Sequence, residues 1–545
     1  MKKVILSFIY LLFIESLCAQ IPTLKWQYTI NAPAFGSAAA ADVDKDGFYE
    51  IFFTTYTNDH KLHCLNAKDG TAKWTFDIGG CGDVAPLILD VDGDDTLDVI
   101  VNGSCNPTMF CVNARTGRLK WSKASGGGDS PPTTADVDGD SKPEILFCNF
   151  SGQLRIYNAE DGSTYKSIQV DPRNRTIQTE PTLVDINGDG KLDVIMANHY
   201  NLSGLYVWAY NIATADTFWT NYVYDTTSTY NAYHGGAVAD VDGDGKLEYV
   251  IGSNNGMVRA LNVENGSTLW TRLITKSNMA AISIADLNKD GDLEIVVCNN
   301  DWVTLDERIW VLDGKTGQTE WSYKTTFSSF RGCAIADING NDTLDLVAGY
   351  YMGDVIAVEP YNGLIWKTNL KNVLLPGLPY FDVNHGPLVA DFDKNGKMDV
   401  FVVLGYGTYT PDSLNCGKAV LLEAGNGKCP EWLMFRQDNE RSGYLSAADI
   451  AKSCSLVLGE NQIEETNWPT IFPNPNDGKF RIEELPHNKS FKIRVINLLG
   501  AEIFSKKIFS NQARVVDLSE FPPGPYLLEI QTPDSKRQYQ RVIIR

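Results

Sequence analysis

Along most of the chain, apolar residues come in runs of four or five bounded by polar turns, as in "IFFTT" from Ile51, "VIVN" from Val99 and "VIMAN" from Val194. Runs this short, rich in β-branched and aromatic residues, predict strands rather than helices. Ahead of each lies a nine-residue polar stretch that begins and ends on an acid: "DVDKDGFYE", "DINGDGKLD" and "DFDKNGKMD" are three of them. A further apolar run precedes the stretch, and no helical periodicity flanks it. The polar stretch is therefore a loop joining two strands.

Eight such loops start at Asp42, Asp90, Asp136, Asp185, Asp240, Asp286, Asp337 and Asp391, at intervals of 46 to 55 residues. A second mark keeps the same period: Trp74, Trp121, Trp270, Trp321 and Trp366 each follow a turn signal such as "AKDGTAKW", and Tyr165 and Trp219 hold that place in two other units. Each unit then reads as four short strands, the fourth centred on tryptophan, which is the size and strand count of a propeller blade. Trp26 precedes Asp42 by the interval that separates Trp74 from Asp90, so "LKWQYTI" reads as a fourth strand lacking its first three. It would complete the last blade and remove the exposed sheet edges. The expected fold is all-β, with an eight-bladed β-propeller. Trp432 is surplus to this count, which keeps seven blades, or stacked β-domains, as alternatives.

Composition narrows the class. The 545 residues carry 68 acids against 47 Lys and Arg, a formal charge of −21, which argues against nucleic acid or an anionic membrane as partner. The opening "MKKVILSFIYLLFIESLCAQ" has the layout of a secretory signal peptide cut after Ala19, and no later stretch is apolar enough to span a bilayer. Ten cysteines then remain, and an oxidising compartment favours some disulfides. Cys81 with Cys105 and Cys416 with Cys429 are the expected pairs, whereas Cys148 and Cys298 lie in strand runs and read as buried thiols.

The loops have the chemistry of a hard-cation site. Ca²⁺ takes six to eight oxygen ligands, and alternate residues of a tight loop direct carboxylates or amides inward. Positions 1, 3, 5 and 9 supply them: Asp42, Asp44, Asp46 and Glu50; Asp90, Asp92, Asp94 and Asp98; Asp136, Asp138, Asp140 and Glu144; Asp185, Asn187, Asp189 and Asp193; Asp240, Asp242, Asp244 and Glu248; Asp286, Asn288, Asp290 and Glu294; Asp337, Asn339, Asn341 and Asp345; Asp391, Asp393, Asn395 and Asp399. An EF-hand would want glutamate at position 12, where Phe53 and Val101 stand. Up to eight Ca²⁺ are expected, and they would offset most of the acidic excess. Binding should be weakest in the seventh loop, where Asn339 and Asn341 replace carboxylates and Asp342 replaces the turn glycine.

These loops resemble the FG-GAP/VCBS repeats of integrin-type propellers, and "LNAKDGTAKW" is similar to the tryptophan repeats of quinone-dependent propellers. The resemblance spans about residues 22 to 445 and implies that calcium binds structurally between the first and second strands of each blade. A second resemblance begins at "IFPNPNDGKFRIEEL" and runs through "IRVINLLGAEIF" and "FPPGPYLLEI" to the end. It is similar to the sorting domain of type IX secretion, which implies a small β-sandwich domain following the propeller, contact with that machinery and a product released or held at the cell surface. The expected organisation is signal peptide 1–19, propeller 20–445, linker 446–469 and sorting domain 470–545.

Fold alone leaves function open. A quinone-dependent dehydrogenase would be expected to show adjacent cysteines, and none are neighbours here. A calcium-dependent polysaccharide lyase, or another carbohydrate-active enzyme on the upper face, would need a base and a carboxylate-holding cation. His234 and His385 stand six residues before their loop aspartates, with Arg331 at the same place in the seventh unit, but they form no motif. Aromatic and amide linkers that include Trp302, Tyr350 and Tyr351 suit recognition of a glycan or surface protein instead. The expected protein is a monomeric binding or adhesion module.

Overall fold

The computed structural model describes residues 21–432 apart from 57, 172–175, 178, 200–203, 225–231, 276–279, 300–305, 375–381 and 408–414, and residues 470–544 apart from 473–477, 484–489, 497–501, 510–514, 523 and 532–536. The proposed signal peptide, the linker and Trp302 lie outside the described residues. Contacts divide the chain into two units, Met1–Leu458 and Gly459–Arg545.

The first unit is a propeller of eight antiparallel blades. Blade 1 shows the pattern: Ala39–Ala41, Glu50–Thr54, Lys61–Asn66 and Ala72–Asp77 pair in that order. First strands of neighbouring blades touch one another, so they line the axis. They are short, three to five residues each, because little room remains there. The second strand is buried along its whole length, while the fourth alternates exposed and half-buried positions at the rim.

The recurring tryptophan joins blades. From the fourth strand of one blade its indole N–H donates to a carbonyl in the last turn of the next: Trp26 to Ala67 at 2.7 Å, Trp74 to Ala114 at 2.9 Å, Trp121 to Ala159 at 2.9 Å, Trp219 to Val263 at 2.8 Å and Trp270 to Gly314 at 2.7 Å. The ring lies against a glycine of that turn, whose missing Cβ leaves room for it. A Cβ on Gly117 would come within 2.7 Å of Trp74. Each such contact combines a hydrogen bond worth about 1 kcal/mol with burial of a large ring.

The ring closes as the tryptophan spacing predicts. Thr23–Ile30 pairs with Cys416–Gly425 and supplies the fourth strand of blade 8, whose others are Leu388–Ala390 and Met398–Tyr406. Blade 8 therefore has no turn between its third and fourth strands, and the Trp366 indole N–H of blade 7 is buried without a partner.

Trp432 belongs to no ninth blade. Its strand, Lys428–Trp432, pairs with Cys333–Asp337, the innermost strand of blade 7, as a fifth strand on the axis. The chain therefore leaves blade 8 and enters the channel from the metal-loop side, Lys428 opposite Asp337 and Trp432 opposite Ile335. This overturns the Cys416–Cys429 pairing: Cys416 is a free thiol at the start of a ten-residue strand, and Cys429 lies beyond that strand's far end. Cys81 and Cys105 do form a disulfide, and Cys148 and Cys298 are buried free thiols.

In the second unit, one sheet holds Thr470–Phe472, Lys479–Glu483 and Val515–Asp517, and the other holds Ser490–Ile496, Glu502–Phe509, Gly524–Gln531 and Arg537–Ile544. Phe480 and Ile482 from the first sheet and Ile493, Val495 and Leu528 from the second share one core, a β-sandwich.

Candidate metal loops and the channel mouth

All eight acidic loops fold alike. The position 1 aspartate accepts the N–H of position 6, as in Gly47 to Asp42 at 2.9 Å and Gly245 to Asp240 at 3.0 Å. The position 5 side chain accepts the N–H of position 7, as in Phe48 to Asp46 at 2.8 Å and Lys246 to Asp244 at 2.8 Å. Position 6 always has positive φ, which glycine takes freely; Asp95, Ser141 and Asp342 take it at 64°, 71° and 64°. The seventh loop is thus not alone in lacking that glycine.

The position 9 carboxylate is buried and accepts the N–H of position 2, tying the loop's end to its start. Glu50 to Val43, Glu144 to Val137, Glu248 to Val241 and Asp345 to Ile338 lie at 2.8 to 3.1 Å. Ligand atoms of Asp42, Asp44 and Glu50; Asp90, Asp92 and Asp94; Asp136, Asp138 and Glu144; Asp240, Asp242 and Glu248; and Asp391, Asp393 and Asp399 all come within 4.8 Å of one another. The fourth, sixth and seventh loops place Asn187, Asn288 and Asn339 at position 3 and offer an amide oxygen there.

The donor set fits a hard cation. One oxygen each of Asp98, Glu248, Asp345 and Asp393 is buried with no hydrogen-bond partner, and an orphaned carboxylate oxygen is costly unless a cation meets it. Burial, followed by repulsion from nearby carboxylates inside the loop and, for Glu294 and Asp345, first from Glu320 and Glu359 outside it, holds the position 9 acids far above the ordinary range: Asp193 to about 6, Glu144 and Glu248 to about 7, Glu294 and Asp345 to about 8.

Three loops differ in a way the repeat pattern did not reveal. Lys73 Nζ lies 2.5 Å from Asp44 and 2.6 Å from Glu50, Lys120 Nζ 2.7 Å from Asp92 and 2.9 Å from Asp98, and Lys25 Nζ 2.6 Å from Asp393 and 3.0 Å from Asp399. Each is the residue before a fourth-strand tryptophan, in "LKW", "AKW" and "LKW". The dipeptide was visible in the sequence, but its meaning depends on the fourth strand reaching over to the loop.

On the opposite face Asp83, Tyr233, Phe330 and Arg331, six or seven residues before their loop aspartates, come together. Arg331 is buried at 2% exposure and reaches from blade 7 to blades 1 and 2, donating to the Phe35 carbonyl at 2.8 Å and the Asp83 carboxylate at 2.7 Å. Tyr233 donates to the other Asp83 oxygen at 3.2 Å, and burial pushes Asp83 up to about 7 against the pull of Arg331 and Tyr233. His234 contacts Glu180 at 3.2 Å, and burial lowers its pKa. Half-buried Phe330 packs on Tyr233 at 4.9 Å, and Phe35 on Tyr56 at 4.8 Å.

His234 and Arg331 are thus brought together, while buried His385 packs edge-on against Phe401 at 5.8 Å. Tyr350 is a core residue at 2% exposure, and Tyr351 begins a short half-exposed turn. Asp83, Tyr233 and Phe330 were missed; their signal is the shared place seven residues before a loop aspartate.

The FG-GAP-like repeat family matches residues 136–196, 185–251 and 240–297, and the secretion system C-terminal sorting domain matches residues 470–545. The chain carries FG-GAP-like repeats and a sorting domain. The chain is 23% identical over 250 residues to cartilage acidic protein 1 of Mus musculus, a match covering 41% of this chain and 36% of that protein, so it spans about a third of that relative's length. Among solved structures, a europium-containing methanol dehydrogenase is 11% identical with a TM-score of 0.51, covering 74% of this chain and 93% of that one. The quinohemoprotein alcohol dehydrogenase of Comamonas testosteroni, also 11% identical, has a TM-score of 0.50 and covers 74% and 77%. At such identity the likeness concerns the fold. The sorting domain marks the protein for type IX export, to the cell surface or into the medium, and no helix among the described residues is long and apolar enough to cross a membrane.

Proposed function

We propose that this exported propeller is a calcium-stabilised binding module that recognises a glycan or a protein through the face opposite its acidic loops. The observation that carries the reading is the half-buried aromatic set at the channel mouth, Phe35, Tyr56, Tyr233 and Phe330. Such rings offer the flat apolar faces on which sugars and side chains pack. The groups a lyase would use there are already engaged: Arg331 by Asp83 and Phe35, and His234 by Glu180. Calcium is the cation proposed for the loops, because the ligands are all oxygen and loosely spaced.

A glycan array probed with the calcium-loaded chain tests the reading. Joint replacement of Tyr233 and Phe330 by Ala is expected to weaken capture of any hit at least tenfold without changing calcium stoichiometry. Capture that persists unchanged in this variant would move the binding surface elsewhere, with Trp302 and Tyr351 next to replace. Release of unsaturated sugar ends absorbing in the ultraviolet, lost on replacing His234, His385 or Arg331, would make the protein a lyase.

A further inference from the structure

We propose that the loops of blades 8, 1 and 2 are closed by an internal lysine ammonium in place of a metal ion, so the chain holds at most five calcium ions and its ring-closing arc is independent of metal. The inference concerns the metal loops and stands whether or not the ligand-binding reading holds.

In each of the three loops the lysine Nζ lies within 3.0 Å of both the position 3 and the position 9 carboxylates. Those are two of the groups a cation in the loop would draw on, and a divalent ion sharing them would lie against the ammonium at close to contact distance. Like charges that near repel by several kcal/mol in a partly buried site. One occupant excludes the other. The lysine is tethered, and its stem comes from a strand already fixed by the adjoining tryptophan contact, so it competes without the entropy cost of capturing a free ion.

Elsewhere the position before the fourth-strand aromatic carries no cation: Thr164, Phe218, Leu269, Glu320 and Ile365 stand there. Glu320 adds a carboxylate near Glu294 in the sixth loop, the opposite of closure. In the fifth and seventh loops Glu248 and Asp345 each keep a buried oxygen without a partner and have no lysine beside them, whereas Asp98 and Asp393, which also keep one such oxygen, hold the ammonium on the other. The three closed loops are also contiguous. Lys25 belongs to the strand that closes the ring, and its blade lies between blades 7 and 1, so the seam and the two blades after it form one metal-free arc.

The test is a calcium count on the full chain by equilibrium dialysis with elemental analysis, paired with melting of Lys73→Met and Lys120→Met variants in chelator. Five or fewer ions in the wild type are expected, and the variants should melt lower than wild type in chelator, with calcium restoring much of the loss as the freed carboxylates take an ion. Six or more ions in the wild type would overturn the proposal. So would lysine variants that melt in chelator at the wild-type temperature, because the ammonium would then be closing nothing. Should a single variant fail to fold, the wild-type count still decides.

Discussion

Ala215 shows how narrowly the contact between blades is set. It has φ 63° in the turn of blade 4, where the corresponding turns of other blades use Gly70, Gly117, Gly162, Gly266 and Gly317. The preceding blade supplies Tyr165 in place of tryptophan, and Lys166 donates to the Ile212 carbonyl at 2.8 Å as the indole does elsewhere. The glycine is needed only where an indole lies over it. Gly117→Ala is therefore expected to destabilise the propeller by about 2 to 4 kcal/mol, from positive φ and overpacking on Trp74. Gly93→Ala, at φ 73° with open space around it, should cost only about 1 kcal/mol. Chemical denaturation of the two variants measures the difference. Asp83 gives a second prediction, since its folded pKa of about 7 lies above the ordinary carboxylate value. Its contribution is fully present below about pH 4 and is lost as pH rises through 7. Relative to Asp83→Asn, the wild type should lose stability across that window, and parallel pH curves for the two proteins would refute the assignment.

At the scale of the element, the acidic loop was the most legible feature of the sequence, because its oxygens, its turn and its following strand all lie within one short segment. What surrounds the loop was not legible. Lys25, Lys73 and Lys120 come from fourth strands, 22 to 29 residues from their partners in blades 1 and 2 and more than 350 in blade 8. The seventh loop is bounded by the turn that leads into the exit strand, since a Cβ on Gly340 would meet the Asn426 carbonyl at 2.5 Å. With Asn339 and Asn341 inside it, this loop should depend least on calcium among those without lysine. Asp240→Ala is expected to shrink the difference between melting temperatures in calcium and in chelator more than Asp337→Ala does. Equal shrinkage would mean the two loops bind alike.

For the whole molecule, blade number and closure could be read from the sequence because Trp26 stands the same distance before its loop as Trp74, Trp270 and Trp321 stand before theirs. The channel mouth could not, since Arg331 and Asp83 are 248 residues apart and meet only once the ring is complete. The Cys416–Cys429 pairing failed for the same reason, both segments looking like loops until the strands between them were placed. The sorting domain carries the prediction for this scale: removing residues 470–545 should leave the protein inside the cell, as fractionation with an antibody to the propeller would show, whereas normal surface levels would mean another export signal. The closing strand has a consequence of its own. Synthesis delivers Thr23–Ile30 first, yet its contacts with Cys416–Gly425 bridge as many as 400 residues, from Thr23 to Glu423, so the seam is among the slowest contacts to form. Until then blade 8 offers a vacant edge that the same segment of another copy fits equally well. Refolding at high concentration should therefore yield strand-exchanged dimers and chains of molecules, each lending its first strand to a neighbour.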